Sequence, residues 1–233
     1  MGYLARTFEA TMEENRRVIL ESMPRRAGAT LLDLGCGPGG WTMRVADHLA
    51  TTDVHGVEFI EDWAERARAA GVDVVVADLG ERLPFEGESF DVIHSNQVIE
   101  HLPRTDHFMR EIRRLLRPGG YALISTNNLS SWHNVASLIL GWQPPPCHVS
   151  DEMIAGNPAN IMEGESVTVQ GQTHLRVFTG RGLSALARHH GLAPEVERGA
   201  GYYPLPSALA RPLARLDRRH AAYLVHRFVP VTA

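Results

Sequence analysis

The sequence predicts an α/β fold, a doubly wound sheet of mostly parallel strands, and three observations carry that prediction. Strand and helix patterns alternate from residue 30 to residue 126. The segment 72–77 is nearly all valine, the mark of a parallel strand buried on both faces. The run LLDLGCGPGG at 31–40 joins a short apolar stretch to a helical pattern through four glycines, Gly35, Gly37, Gly39 and Gly40. Such a junction lets backbone approach a nucleotide-like ligand with no Cβ in the way. The 233 residues are enough for one domain, 1–233, with a core of its own.

Taken in order, residues 4–22 place Leu4, Phe8, Met12, Val18 and Ile19 at roughly helical spacing, and Pro24 and Gly28 end that helix. A strand at 30–34 leads into the glycine turn, and a helix over 41–49 buries Val45, Ala46 and Leu49. A second strand at 54–59 and a helix at 61–70, stopped by Gly71, precede the valine strand. After a turn-rich stretch at 80–89 comes a fourth strand at 90–95. Residues 102–116 form an amphipathic helix with Phe108, Ile112, Leu115 and Leu116 on one side. Pro118, Gly119 and Gly120 stop it before a fifth strand at 121–126. The rhythm then breaks: a helix at 130–140, an irregular stretch at 141–177, a helix at 180–190, and strands at 192–197 and 222–229. A long irregular stretch in a compact domain is usually functional, so 127–178 reads as an insertion.

Composition excludes several classes. A net charge of −4 gives no basic footprint for nucleic acid, and solvated helix faces account for the clusters Arg113, Arg114 and Arg117, and Arg215, Arg218 and Arg219, in preference to phosphate-binding patches. Two cysteines make no disulfide framework, so a cytoplasmic setting is expected. No metal-binding motif is present, and no metal is expected. No charged start leads into an apolar run, so no signal peptide is expected, and Arg6 stands where a myristoylation signal wants Ser or Thr. The apolar run near 135–142 is too short and interrupted to span a bilayer.

Gly35, Gly37 and Gly40 fit the dinucleotide pattern G-x-G-x-x-G, and Glu58 lies about 20 residues on, as that pattern expects. An acid there suits the ribose of a nicotinamide dinucleotide or of S-adenosylmethionine, and the glycines alone do not choose. An oxidoreductase would also need a set such as Tyr-x-x-x-Lys, and the chain contains no lysine.

Five segments in order tilt the choice: LLDLGCGPGG, HGVEF, VVVADLGERLPFEGESFDVIHSN, VIEHL and LLRPGGYALIST. Over about residues 30–127 the chain resembles the class I S-adenosylmethionine-dependent methyltransferases, closest to the small-molecule branch of ubiquinone- and sterol-type enzymes. The later HLRVFTGRGLSALARHHGL also looks like that family. The resemblance implies a Rossmann-like, seven-stranded sheet with a late antiparallel strand, and S-adenosyl-L-methionine as cofactor. It puts Gly35, Cys36 and Gly37 under the amino-acid part and ribose, Glu58 on the ribose hydroxyls, and Phe59 against adenine. Asp78 and Leu79 match the adenine-edge pair. Ser95, Asn96 and Gln97 pass the methionine portion, and Asp33 orients the turn.

The implied reaction is metal-independent, in-line displacement of a methyl group by an oxygen, nitrogen or carbon nucleophile of a small acceptor. A hydroxyl acceptor benefits from a base, and histidine titrates near neutrality. His101, directly after the fourth-strand loop, is the first candidate. His174 is the second, with Arg176 on the same face if the segment is extended. Trp132, Trp142 and the run 144–146 are candidate walls of an acceptor pocket in the 127–178 insertion. The helix 4–22 is a candidate lid, which puts Tyr3 and Arg6 toward the site. A cofactor-binding protein without turnover is the remaining alternative.

Overall fold

Seven strands build one sheet: β1 (Leu31–Leu34), β2 (Val54–Glu58), β3 (Asp73–Val76), β4 (Phe90–Asn96), β5 (Leu116–Asn127), β6 (Leu192–Ala200) and β7 (Tyr223–Pro230). The computed structural model describes residues 2–167 and 173–231, so 168–172 of the insertion and the extreme termini lie outside the described residues. The strand order is β3-β2-β1-β4-β5-β7-β6. Every pair from β3 to β5 is parallel, and β7 is antiparallel to both β5 and β6. The order reverses between β1 and β4, and ligands of such sheets bind beyond the carboxyl ends at that point.

Helices cover both faces. α1 (Tyr3–Ser22), α2 (Gly40–Leu49) and α3 (Glu61–Ala70) pack one core with Leu31, Val54 and Val74. α4 (Thr105–Leu115) and α6 (Gly180–His189) pack the other with Leu32, Leu34 and Ile93. β1 is therefore buried along its whole length, which is why its sequence is nearly unbroken leucine. No helix among the described residues is long and apolar enough to cross a membrane.

α1 is held unevenly. Its first turns bury Thr7, Thr11 and Asn15, whereas Val18 and Ile19 bury apolar surface near its end. Asn15 donates to Asn96 Oδ1 (2.9 Å) and accepts from Ser125 Oγ (2.9 Å), which seats the helix on the carboxyl ends of β4 and β5.

Three departures from the sequence reading have local causes. The helix expected over 102–116 starts only at Thr105, because Pro103 disfavours helical geometry before it, and a short 3-10 turn occupies Ile99–His101. β5 begins at Leu116, with a register shift opposite Phe90–Val92 that absorbs Pro118-Gly119-Gly120. α7 (Ser207–Leu216) was not legible, because Pro212 lies inside it and it buries Ala210 and Ala214 where larger residues are expected. The insertion follows α5 (Trp132–Ile139) as irregular backbone, pinned by the bridges Met153–Ser166 and Asn128–Phe178.

Gly39 shows why the turn needs glycine. Its φ is 81°, and an added Cβ would lie 2.8 Å from Ala67 Cα, on the backbone of α3. Gly39→Ala is expected to cost about 1–3 kcal/mol from φ strain and overpacking. That is a Tm fall of roughly 3–10 °C in thermal unfolding.

Candidate active site

The turn between β1 and α2 is locked from inside by Glu58 at the end of β2. The Gly37 N–H donates to its Oε2 (2.8 Å), and the N–H groups of Phe59 and Ile60 donate to its Oε1 (2.9 and 3.0 Å). Three of about four acceptor positions of a carboxylate are thereby filled from backbone. Gly35 (φ 78°) has no room for a Cβ, which would meet Val98 Cγ2 at 2.5 Å; Gly37 (φ 54°) opens onto free space. Cys36 packs under the turn, its sulfur where a Cβ on Gly56 would lie, and burial, with Asp33 and Glu58 nearby, pushes its thiol up to about 12. It is a filler with no thiolate chemistry.

Phe59 is 55% exposed beside this turn, an aromatic face left bare at a strand end. Asp78 accepts from the Gly80 N–H (2.7 Å), and Leu79 is buried in the α4-side core.

Asp33 faces inward. It accepts from Thr42 of α2 (2.6 Å) and from Nδ1 of His94 in β4 (2.7 Å), its register neighbour. Nε2 of His94 faces the Trp41 indole N–H at 3.4 Å, so a neutral tautomer with the proton on Nδ1 satisfies both contacts. This interior chain clamps α2 to β1 and β4 beneath the glycines. His94 was invisible as a partner from sequence, since only the β1–β4 register places it against Asp33. Ser95 is likewise interior, donating to Leu34 O (3.1 Å).

Asn96 and Gln97 emerge from the strand into a cavity of about 440 Å³. Gln97 takes a left-handed φ of 57°, unusual for a residue with a Cβ. Its side-chain Nε2 is buried without a hydrogen-bond partner. The floor and one side of the cavity come from α1 (Phe8, Thr11, Met12, Asn15, Arg16), and the far side comes from the insertion (Pro145, Pro146, Ile154, Ile161, Met162). Tyr203, Tyr223 and four histidines complete it.

His101 and His174, 73 residues apart in sequence, meet here with ring centroids 4.8 Å apart. Nδ1 of His101 is 3.1 Å from Thr173 O, and Nδ1 of His174 is 2.9 Å from Pro146 O. A carbonyl only accepts, so each Nδ1 carries the proton and each Nε2 keeps a lone pair. The His174 N–H donates to Nδ1 of His148, whose ring stacks on it at 4.4 Å. Burial lowers all of these imidazoles. His174 falls to about 4, with His101 adding to the effect, and His133 also falls to about 4. His101 and His148 move in the same direction. The cavity therefore presents neutral rings.

Behind His101, full burial pushes Glu100 up to about 7 against hydrogen bonds from its own backbone, Thr126 and Asn127. Glu100, His101 and His174 each bring one potential metal-ligand atom within 4.8 Å of the others, a grouping with no sequence motif. Thr126 and Asn127 already engage the two carboxylate oxygens (2.8 and 3.3 Å), and both Nδ1 atoms are taken.

Other residues expected at the site do not reach the cavity. Trp132 stacks outside on His220 (4.5 Å), and Arg176 is exposed and donates to Pro103 O. Trp142 is not among the lining residues. Tyr3 is 51% exposed and donates to Pro204 O (3.0 Å), so it turns away from the site.

Residues 32–124 match the methyltransferase domain family. A Mycolicibacterium smegmatis protein named a probable S-adenosylmethionine-dependent methyltransferase is 32% identical over 220 residues, covering 90% of this chain and 82% of its own length. The 27-O-demethylrifamycin SV methyltransferase of Amycolatopsis mediterranei is 30% identical over 210 residues, covering 85% of this chain and 68% of its own. The fold is shared with an S-adenosylmethionine-dependent methyltransferase from Mesorhizobium loti (TM-score 0.60, 19% identity, 91% of this chain and 95% of that one). These relatives speak for the sulfonium donor and not for nicotinamide as the cofactor. The two relatives, together with the strand order, show that this chain belongs to the class I S-adenosylmethionine-dependent methyltransferases, enzymes whose cofactor is S-adenosyl-L-methionine.

Proposed function

We propose that the acceptor is a small, largely apolar molecule bearing a hydroxyl, and that His101 takes the proton from that hydroxyl. The observation that carries this reading is the His101 ring: it lines the cavity with Nδ1–H pinned to Thr173 O, leaving Nε2 unprotonated. Apolar side chains supply most of the surrounding wall, the histidines are neutral, and the Arg16 guanidinium in the lining is already paired with Glu13. His174 is the poorer base: a conjugate acid near 4 holds a proton too weakly at neutral pH. The relative named for 27-O-demethylrifamycin SV supports an O-demethylated acceptor.

The residues at the strand ends fit the cofactor. When bound, S-adenosylmethionine supplies a sulfonium methyl group for in-line displacement. The backbone of Gly35, Cys36 and Gly37 gives close approach, and Glu58 has an acceptor position left for ribose. Phe59 offers its bare ring to adenine, with Asp78 and Leu79 along the base edge. Asp33 acts from below by fixing α2, and Ser95 by fixing β4 against β1. Asn96 and Gln97 reach the methionine end, where the unpaired Gln97 amide is a donor that lacks an acceptor. α1 and the described part of the 127–178 insertion line the acceptor chamber, with α1 as its lid. Holding the hydroxyl in line contributes up to about 7–11 kcal/mol through orientation.

Gln97→Ala is expected to weaken S-adenosylhomocysteine binding about 10-fold, the loss of one charge-assisted hydrogen bond, by calorimetric titration. The acceptor class is tested by radiolabelled methyl transfer to matched phenols, aliphatic alcohols, amines and carboxylic acids. Turnover confined to amines or acids would overturn the hydroxyl reading.

A further inference from the structure

α7 is turned inside out relative to an ordinary surface helix. It buries Ala210 and Ala214 and leaves Leu209, Leu213 and Leu216 exposed at 57%, 37% and 84%. The spacing of four and three places those leucines on one stripe. The segment 207–220 also holds four arginines against one carboxylate, in a chain of net charge −4. Arg211 is paired to Glu14 and Arg218 to Glu197 (3.4 Å), whereas no ion pair among the described residues engages Arg215 or Arg219, both exposed. Next to this stripe, Trp132 is 51% exposed, fixed in place by its indole N–H to Asp217 (3.2 Å) and by stacking on His220.

We propose that α7, the turn after it and Trp132 dock on an anionic lipid bilayer. Leucines and a guanidinium on α7, a second guanidinium on the turn after it and the indole of Trp132 beside them are the chemistry of an interfacial surface: the apolar stripe enters the acyl boundary while the cations meet phosphate headgroups. A second copy of the chain is a poor occupant, since a two-fold interface on this stripe brings Arg215, Arg218 and Arg219 against their own counterparts. The surface adjoins the acceptor chamber. Tyr203, a cavity wall, lies just before α7, and the Arg211–Glu14 pair ties α7 to α1. Docking would bring the chamber close to a source of apolar acceptors, but the surface does not depend on which acceptor is methylated.

The test is co-sedimentation of the whole chain with vesicles of phosphatidylcholine alone or mixed with phosphatidylglycerol. Partitioning is expected to be at least about 10-fold stronger on the anionic vesicles and to weaken with added salt. The double variant Arg215→Gln/Arg219→Gln is expected to lose about 30-fold, roughly 5-fold per arginine. Leu213→Ser/Leu216→Ser is expected to reduce binding to both vesicle types. Both variants alter exposed side chains, and unchanged circular dichroism and S-adenosylhomocysteine affinity check that they fold. Equal partitioning on the two vesicle types, or binding indifferent to both variants, overturns the proposal. So does a tight dimer that dissociates in the leucine variant, because it gives the stripe to a second copy.

Discussion

His101→Ala is expected to lower kcat for a hydroxyl acceptor by about 10²–10⁴, the usual worth of a positioned general base. Affinity for S-adenosylhomocysteine should be unchanged, because the ring lines the acceptor cavity and not the glycine turn. The pH profile carries a separate signature. Burial holds the His101 imidazole below its ordinary value, so the active neutral form persists through neutrality and is lost only as acid protonates it. The wild-type rate should therefore be flat near pH 7 and fall on the acid side, and the variant should lack that limb. Acceptors that ionise unaided should lose least. An unaltered rate in the variant would remove His101 as the base without touching the cofactor assignment.

The second large effect is expected at Glu58. Replacement by Ala removes the acceptor for three backbone N–H groups and, on the proposed reading, the partner for ribose together. Cofactor affinity should fall about 100-fold, as hydrogen bonds to a charged group are each worth roughly 1.5–3 kcal/mol. Stability should fall too, since leaving a buried donor unpaired costs about 1–3 kcal/mol. Titration calorimetry and thermal unfolding read the two consequences apart. A lowered Tm with unaltered affinity would reduce Glu58 to a brace for the turn, and the ribose would need another holder.

The contrast between Glu58 and Asp33 shows what the sequence could disclose. Both were legible as acids at the ends of buried strands, because a strand, a glycine turn and a helix start are written in consecutive residues. Which way each carboxylate faces depends on register between strands distant in sequence. Only the pairing of Asp33 with His94 shows that this acid is engaged from within. The same limit hid the chamber. His101 was legible beside β4, but its neighbours His148 and His174 come from an insertion whose path no periodicity encodes. Trp132 failed as a wall, and Arg176 as a companion of His174, because their side chains bond to Asp217 and Pro103, contacts far away along the chain. α7 was missed because its burial pattern inverts the usual rule, so the reading that found six other helices had nothing to detect.

The uneven seating of α1 has a kinetic consequence. Its tail, through Val18 and Ile19, is fastened by dry packing, whereas its leading turns rest on polar partners that water can replace. Peeling the leading turns away exposes the half-buried Phe8 and Met12 and no fully buried apolar side chain, so the helix detaches more readily there than at its rear end. On the proposed lid role of α1, that looser front end would give a spent donor its way out between cycles.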